Sequence, residues 1–210
     1  TIREYICNFI MSTLETNLVQ PSTGTALTIG ASGDTITVPS GATFNVAGTL
    51  QSGGSAITQG ITMADQYRVT ANITSNADPI SSNIERIDTS GQGTLGSAMS
   101  VSSGVFTFPS TGIYLVTFKG SGYTVASGDN VSMSLNVTTN NSSFTQIDQS
   151  AAGDGEQRNF TVSGGSLIDV TDTSNVKVSF SAGSINSGSQ FDGNTAENRT
   201  CFTFIRLGDT

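Results

Sequence analysis

The side chains that most often carry enzyme chemistry are scarce in this sequence. Its 210 residues include no histidine. Without an imidazole, neither a Ser-His-Asp or Cys-His nucleophile nor a histidine-containing zinc site can be built. The two cysteines, Cys7 and Cys201, lie near opposite ends of the chain and are interpreted as free buried thiols, because no dense disulfide framework is visible. We therefore expect no enzymatic activity and no cofactor.

Two short patterns match the spacing of known motifs but lack their context. Residues 91–96 (GQGTLG) fit the glycine spacing of a dinucleotide-binding loop. No buried parallel strand precedes them and no helical pattern follows, so they are interpreted as a loop. Ser174 and Lys177 have the spacing of a penicillin-recognising serine and lysine. They fall in a predicted strand, where residues three apart face opposite sides, and the companion motifs are missing.

One acidic loop could hold a cation. Asp148, Asp154 and Glu156 surround two glycines, and carboxylates in such a loop are possible calcium ligands. The twelve-residue pattern of a calcium loop is absent, so a solvated turn is the preferred interpretation and a calcium ion the alternative. Asp169 and Asp172 are expected to cap the turn before the next strand.

Charge and composition exclude some classes of partner and indicate the fold class. The sequence has 8 Lys and Arg against 16 Asp and Glu, a net charge of −8. Nucleic acids require clustered basic residues, so they are excluded as partners. No run of about 18 apolar residues occurs, so no membrane insertion is expected. With 24 glycines and recurrent Val, Ile and Phe, the sequence predicts short strands joined by tight turns, an all-β protein.

The first 20 residues are predicted to form an anchoring arm. Apolar residues recur there at three- and four-residue spacing, which favours one apolar stripe on a helix. The high β-branched content is equally compatible with an extended tail. Either form must dock on sister copies or on a larger assembly. The side chains assigned to particle docking are Ile2, Tyr5, Ile6, Phe9 and Ile10.

Residues 21–60, which we call the stem, contain a short internal repeat. Three apolar-x-apolar pairs are separated by turn sequences, and residues 51–60 have the composition of a flexible linker. Strands of about three residues are too short to bury a core within one chain. Three chains wrapped about an axis, in a β-prism-like arrangement, would close such a core. The side chains assigned to this trimer stem are Leu27, Ile29, Ile36, Val38, Phe44 and Val46.

Residues 61–210, which we call the head, have the strand pattern of a β-sandwich of jelly-roll size. Strands are expected at 67–73, 84–89, 99–108, 113–123, 131–138, 144–150, 158–170, 176–182 and 201–207. The apolar C-terminal strand should lie in the middle of a sheet.

The stretch 105–118 (VFTFPSTGIYLVTF) is expected to organise the head. Tyr114, Val116 and Phe118 form one face of its second strand, and Ile113 and Leu115 form the other. A strand that is apolar on both faces must be covered twice. We expect the second cover to be another copy of the chain.

Two resemblances connect these patterns to known families. Residues 36–50 resemble segments of phage fibre and other virion surface proteins. The pattern Phe-x-Phe-Pro-x-x-Gly-x-Tyr-x-Val at 106–116, together with residues 167–172, resembles the complement/tumour-necrosis-factor-like (TNF-like) jelly roll. That resemblance implies trimers formed through apolar faces near a threefold axis. The absence of Trp favours a viral relative. The residues that it assigns to head core or interface, without separating the two, are Phe106, Phe108, Ile113, Tyr114, Leu115, Val116, Phe118, Tyr123, Phe202 and Phe204.

Together these features predict a virion structural protein, a homotrimeric capsid decoration protein or short head fibre displayed on the phage surface. Its expected partners are two further copies and the major capsid protein or another virion component. The alternative is a tail-fibre or receptor-binding knob that contacts a host surface glycan. The side chains proposed for glycan contact are Tyr123, Asn140, Asn141 and Asn186.

Overall fold

The structure is a computed structural model, and it describes residues 19, 24–52, 55–56, 60–126, 129–153 and 158–210. The chain divides into two compact units, residues 1–56 and 57–210. The expected anchoring arm and its docking side chains fall outside the described residues. In the part of the chain that is described, no helix is long and apolar enough to cross a membrane.

The second unit is an all-β sandwich, as the sequence predicts. Its strands are β3 (Met63–Val69), β4 (Ile84–Arg86), β5 (Ser100–Ser102), β6 (Val105–Thr107), β7 (Gly112–Thr124), β8 (Asn130–Thr138), β9 (Thr145–Gly153), β10 (Arg158–Val170), β11 (Lys177–Gly183), β12 (Gln190–Phe191) and β13 (Cys201–Gly208).

Two antiparallel sheets form the layers of the sandwich. A six-stranded sheet has the order β10-β7-β13-β3-β4, with β12 also paired to β7, and a five-stranded sheet has the order β5-β6-β11-β8-β9. Several neighbours, such as β7 with β13 and β8 with β11, are distant in sequence, as in a jelly roll. The C-terminal strand β13 lies between β7 and β3, which confirms its predicted central place.

The core between the sheets is built largely from aromatic rings. Phe180 of the five-stranded sheet stacks on Phe202 of the six-stranded sheet, with ring centroids 4.0 Å apart and planes 9° apart. Phe106 contacts both rings and those of Tyr67 and Phe204 edge-on or tilted. The Tyr67 hydroxyl donates a hydrogen bond to the Met99 carbonyl at 2.7 Å, so its polar end is satisfied within the core. Burial raises the pKa of Tyr67 above its ordinary value.

Two details of the head differ from the sequence prediction. The strand expected at 99–108 is a hairpin of β5 and β6, because Ser103 and Gly104 take positive φ between them. Gly104 is required there, since a Cβ would lie 2.3 Å from the Ile80 carbonyl oxygen. Asp169 lies inside β10 and caps no turn, whereas Asp172 does accept the Ser174 amide at 2.7 Å.

Within the first unit, the described stem residues 24–50 contain no strand in the single chain. The short strands expected at the apolar pairs need hydrogen-bonding neighbours from other chains, so they stay a prediction for the assembled trimer. The two turns are present. The Asp34 carboxylate accepts the Ala31 amide at 2.7 Å, and the Ala42 amide donates to the Pro39 carbonyl at 3.0 Å. Part of the predicted linker is paired, since β1 (Gln51–Ser52) and β2 (Ser55–Ala56) form a short hairpin.

Candidate functional site

The outward face of the six-stranded sheet, which points away from the five-stranded sheet, carries a continuous row of apolar side chains. The register places Leu167 of β10 opposite Leu115 of β7, and Leu115 opposite Ile205 of β13. Ile205 lies opposite Ala64 of β3, which is bridged to Leu95 by two backbone hydrogen bonds of 2.8 and 3.0 Å. Directly opposed residues share a face, so these five residues form one row, which we call the apolar band.

The apolar band remains accessible in the single chain. Leu167 is 61% exposed and Leu95 is 48% exposed, at the two ends of the row. Leu115, Ile205 and Ala64 are half-buried between them. A contiguous apolar row across four strands of a sheet is unusual on the surface of a soluble monomer and is typical of an interaction site.

The rows beyond the apolar band become progressively more polar. The next row contains Gly165, Thr117, Thr203 and Gln66, and the Gln66 amide donates to the Thr203 hydroxyl at 3.1 Å. The row after that contains Ser163, Lys119, Cys201 and Arg68. Burial raises the pKa of the Cys201 thiol, against the lowering effect of the Lys119 charge. The outward face thus changes from apolar to charged along the strands.

The apolar band lies at one end of the sandwich, which we call the base. The chain enters the head at the base, where β3 begins, and β13 ends there too, since Arg206 is paired with Met63. The opposite end, which we call the tip, carries the connection between β7 and β8. The most apolar part of the outward face is therefore the part nearest to the point where the chain joins the head.

At the β10 edge the band opens into a groove between the two sheets. This edge groove has a volume of about 320 Å³, and Leu167 forms part of its wall. Ile147 of β9, which is 40% exposed, lies on the other side. The remaining lining residues are Val137, Thr139, Ser166, Ile168, Asp169 and Val176. One exposed apolar surface therefore continues from the outward face around the sheet edge.

Asp148 closes the same edge and does not lie in a solvated turn. Its carboxylate accepts the Gly165 amide of β10 at 2.5 Å and so joins β9 of one sheet to β10 of the other. A β-bulge in β9 directs it there, because Leu135 pairs with Asp148 whereas Asn136 pairs with Gln146. Gly164 leaves room for the carboxylate, since a Cβ there would lie 2.3 Å from Asp148 Oδ2. Asp154 and Glu156, the other residues of the calcium hypothesis, fall outside the described residues.

Two further charged side chains are buried in the six-stranded sheet. Arg68 is fully buried and donates to Glu85 at 2.6 Å, to Asp88 at 2.7 Å and to the Thr89 hydroxyl at 2.7 Å. Asp65 accepts from Arg86 at 2.7 Å and from the Met99 amide at 2.8 Å. Each buried charge is paired and hydrogen-bonded, which is the requirement for a structural ion pair. Among the described residues, no three His, Cys, Asp or Glu side chains lie close enough together to hold a metal ion.

At the tip, the Asp129 carboxylate organises the loops. It accepts from the Ser189 hydroxyl at 2.6 Å, from the Asn186 amide at 2.8 Å and from the Ala126 backbone amide at 3.1 Å. These bonds, led by that from Ser189, lower the pKa of Asp129 to about 2. Asn186 is thus engaged in a structural contact.

The structure does not bring the proposed glycan-contacting residues together. Tyr123 is near the end of β7 at the tip, as is Asn186. Asn140 and Asn141 follow the far end of β8, at the base. A nine-residue strand separates these two ends by roughly 30 Å. Asn140 is also used locally, since its side-chain oxygen accepts the amides of Ser142 and Ser143.

The structure separates the residues that the sequence assigns jointly to head core or interface. Ile113, Leu115 and Tyr123 are half-buried on the outward face. The other residues of that set are buried between the sheets: Phe106, Phe108, Tyr114, Val116, Phe118, Phe202 and Phe204. The alternation along β7 therefore divides the set into a core half and a surface half.

The stem side chains lie at the surface of the single chain. Their exposed fractions range from 37% for Val46 to 68% for Phe44. Four of them, Ile29, Ile36, Val38 and Phe44, line an apolar groove of about 320 Å³.

The sequence alone does not predict most of the apolar band. It assigns Leu115 to core or interface, but it gives no such assignment for the other four residues, Leu167, Ile205, Ala64 and Leu95. The signal that was present is the pair Leu167-Ile168, because adjacent apolar residues in a strand face opposite sides. Leu95 had no such signal, since it lies outside a named strand and reaches the band through a single bridge to Ala64.

Comparison with known proteins identifies the fold of the head. No protein-family model matches the sequence, and no curated protein matches it. The structure is similar to that of murine APRIL, with a TM-score of 0.51 and 10% sequence identity, over 69% of this chain and 99% of that chain. It is also similar to Eiger TNF from S. frugiperda, with a TM-score of 0.52 and 12% identity, over 70% of this chain and 94% of that chain. The sandwich is therefore a TNF-like jelly roll, as the sequence resemblance implied.

Proposed function

We propose that this protein is a homotrimeric structural protein of a virion surface, assembled through the apolar band of its head. The observation that carries the proposal is the apolar band, a row of apolar side chains that is exposed at Leu167 and Leu95. It lies on a sandwich that already has a buried core of its own. Sandwiches of this TNF-like fold often assemble as trimers. An enzymatic role is not part of the proposal.

The shape of the band suits a closed ring of copies. In a threefold assembly each copy offers one surface to the next copy and a different surface to the previous one. The band has two such ends, the Leu167 edge with its groove and the Leu95 edge. Bringing these ends together between copies would bury the apolar row as the interface core and leave the polar row of Thr117 and Thr203 at its rim.

The virion part of the proposal rests on the sequence. The resemblance of residues 36–50 to phage fibre segments supports a displayed protein with a short stem and a head. The capsid decoration protein or short head fibre is the preferred form of this displayed protein. In this proposal the arm, with Ile2, Tyr5, Ile6, Phe9 and Ile10, docks on the major capsid protein or another virion component.

Light scattering coupled to size-exclusion chromatography tests the assembly. The expected mass is about three times the 21.6 kDa of one chain. A monodisperse monomer would contradict the proposal. A glycan array probed with the same protein tests the knob alternative, for which reproducible and saturable binding would be required.

Deletion of residues 1–20 tests the docking arm. The truncated protein should keep its trimeric mass but no longer attach to purified particles, as seen by imaging particles prepared with each form. Loss of the trimer instead would assign the arm to assembly and contradict the docking role.

A further inference from the structure

We infer that residues 24–50 of the stem acquire β-structure only between copies of the chain, by pairing with the stems of two neighbouring copies. This inference rests on the threefold self-association proposed above, and it adds where and how a second assembly surface forms. It follows from four properties of the described stem residues.

The first property is that the apolar side chains of residues 24–50 are exposed. Seven large apolar side chains of the stem are at least 37% exposed in the single chain. Their names, in chain order, are Leu27, Ile29, Ile36, Val38, Phe44, Val46 and Leu50. The groove lined by Ile29, Ile36, Val38 and Phe44 has room for apolar groups from another chain. Within the head, by contrast, most of the large apolar residues pack together in one core.

The second property is that the backbone between the turns lacks partners. Among residues 24–50, the hydrogen bonds are confined to the turn around Asp34 and the turn around Pro39. The pairs Leu27/Ile29, Ile36/Val38 and Phe44/Val46 lie outside these turns and in no strand. Extended segments that bury apolar side chains must also pair their amides and carbonyls. An apolar ligand alone would cover the side chains but leave this requirement unmet.

The third property is spacing. The apolar pairs recur every eight or nine residues and are separated by turns that reverse the chain. Another copy of the stem presents extended segments of the same length at the same intervals, so each pair can meet its counterpart in register. A strand of unrelated sequence would match one layer but not all three.

The fourth property is charge. Between residues 24 and 52 the only charged side chain is Asp34, and its carboxylate is occupied in capping its own turn. Three copies can therefore come together with little electrostatic repulsion, although the whole chain has a net charge of −8. The same lack of charge offers nothing to steer a basic or acidic partner onto the stem. The favoured occupant of the apolar groove is therefore the stem of another copy.

Hydrogen–deuterium exchange of the full-length protein, read peptide by peptide, tests the inference. Amides around the three apolar pairs should exchange at least about 100-fold more slowly than unpaired amides, because they would be bonded between copies. The mass of the same sample is measured by light scattering. A trimeric mass with fast exchange in residues 24–50 would overturn the inference and leave the proposed head assembly standing. A monomeric mass with fast exchange would overturn both.

A matched pair of variants makes the test specific. Ile36→Ser removes an apolar contact from the middle layer and should abolish protection in all three layers, since the layers would form cooperatively. Thr37→Ser, at the adjacent residue whose side chain alternates to the other face, should leave protection unchanged. Loss of protection at the middle layer only, with the outer layers as slow as before, would contradict pairing of copies in register. The trimeric mass of Ile36→Ser is expected to persist through the head.

Discussion

Replacement of Leu167 by serine is the most direct test of the apolar band. Leu167 is 61% exposed in the single chain, so its removal costs little within the sandwich itself. Complete burial of a leucine side chain contributes roughly 1.5–3 kcal/mol. The exposed part available for association is thus worth about 1–2 kcal/mol per copy, or about 3–6 kcal/mol for three copies. Since each 1.4 kcal/mol is tenfold, the trimer dissociation constant should rise about a hundred- to ten-thousand-fold.

Sedimentation equilibrium over a range of protein concentrations measures this change. Ser163→Ala is the control, because Ser163 lies on the same strand and face as Leu167 but two rows outside the band. Its dissociation constant should match that of the unmodified protein. Circular dichroism at a concentration where both variants are monomeric should give the same spectrum and melting temperature. An unchanged dissociation constant for Leu167→Ser would refute the band as the assembly surface.

Three further predictions concern the head. Phe106→Ala should lower the free energy of unfolding, measured in denaturant, by about 3–5 kcal/mol. The reason is that the Phe106 ring is fully buried among four other aromatic rings. A loss below about 1 kcal/mol would contradict that packing. Gly164→Ala places a Cβ in the space of the Asp148 carboxylate and should break the hydrogen bond from the Gly165 amide to Asp148. Hydrogen exchange at Gly165 should then be as fast as in Asp148→Ala. Slow exchange in both variants would disprove the contact. The hydrogen bonds to Asp129 lower its folded-state pKa to about 2 from an ordinary 3.8, so the stability that they contribute is present above pH 4 and is lost as the pH falls towards 2. Asp129→Asn should therefore flatten the curve of melting temperature against pH between about 4 and 2. An unchanged curve would count against the tip network.

Local patterns in the sequence predicted the strands of the head well. Residues 158–170 were predicted as a strand and form β10 with the same bounds. The placement of the C-terminal strand inside a sheet is also confirmed, since β13 pairs with β3 on one edge and with β7 on the other. β12 was missed, since two residues are too few to show a period. Phe191 nevertheless packs in the core, over Gly120, where a Cβ would lie 2.7 Å from its ring.

The candidate site depended on information that a single sequence does not contain. The apolar band is made by register between strands that are far apart in the chain, such as Ala64 with Ile205. A shift of one residue in any pair would move its side chain to the opposite face. Asp148 was placed in a solvated loop because sequence spacing does not show the bulge that turns it towards β10. The stem strands are predicted for three chains together, so they stay a prediction for the assembled protein, because short strands need partners that a single chain does not supply.

The positions of the chain ends in the head have a practical consequence for labelling. β13 ends at the base, beside the apolar band, so a fluorescent protein or affinity tag fused after Thr210 would crowd the surface proposed for assembly. The connection between β11 and β12 lies at the other end of the sandwich. A short epitope inserted into that connection, outside the turn from Asn186 to Ser189 that holds Asp129, would lie away from the surface proposed for assembly.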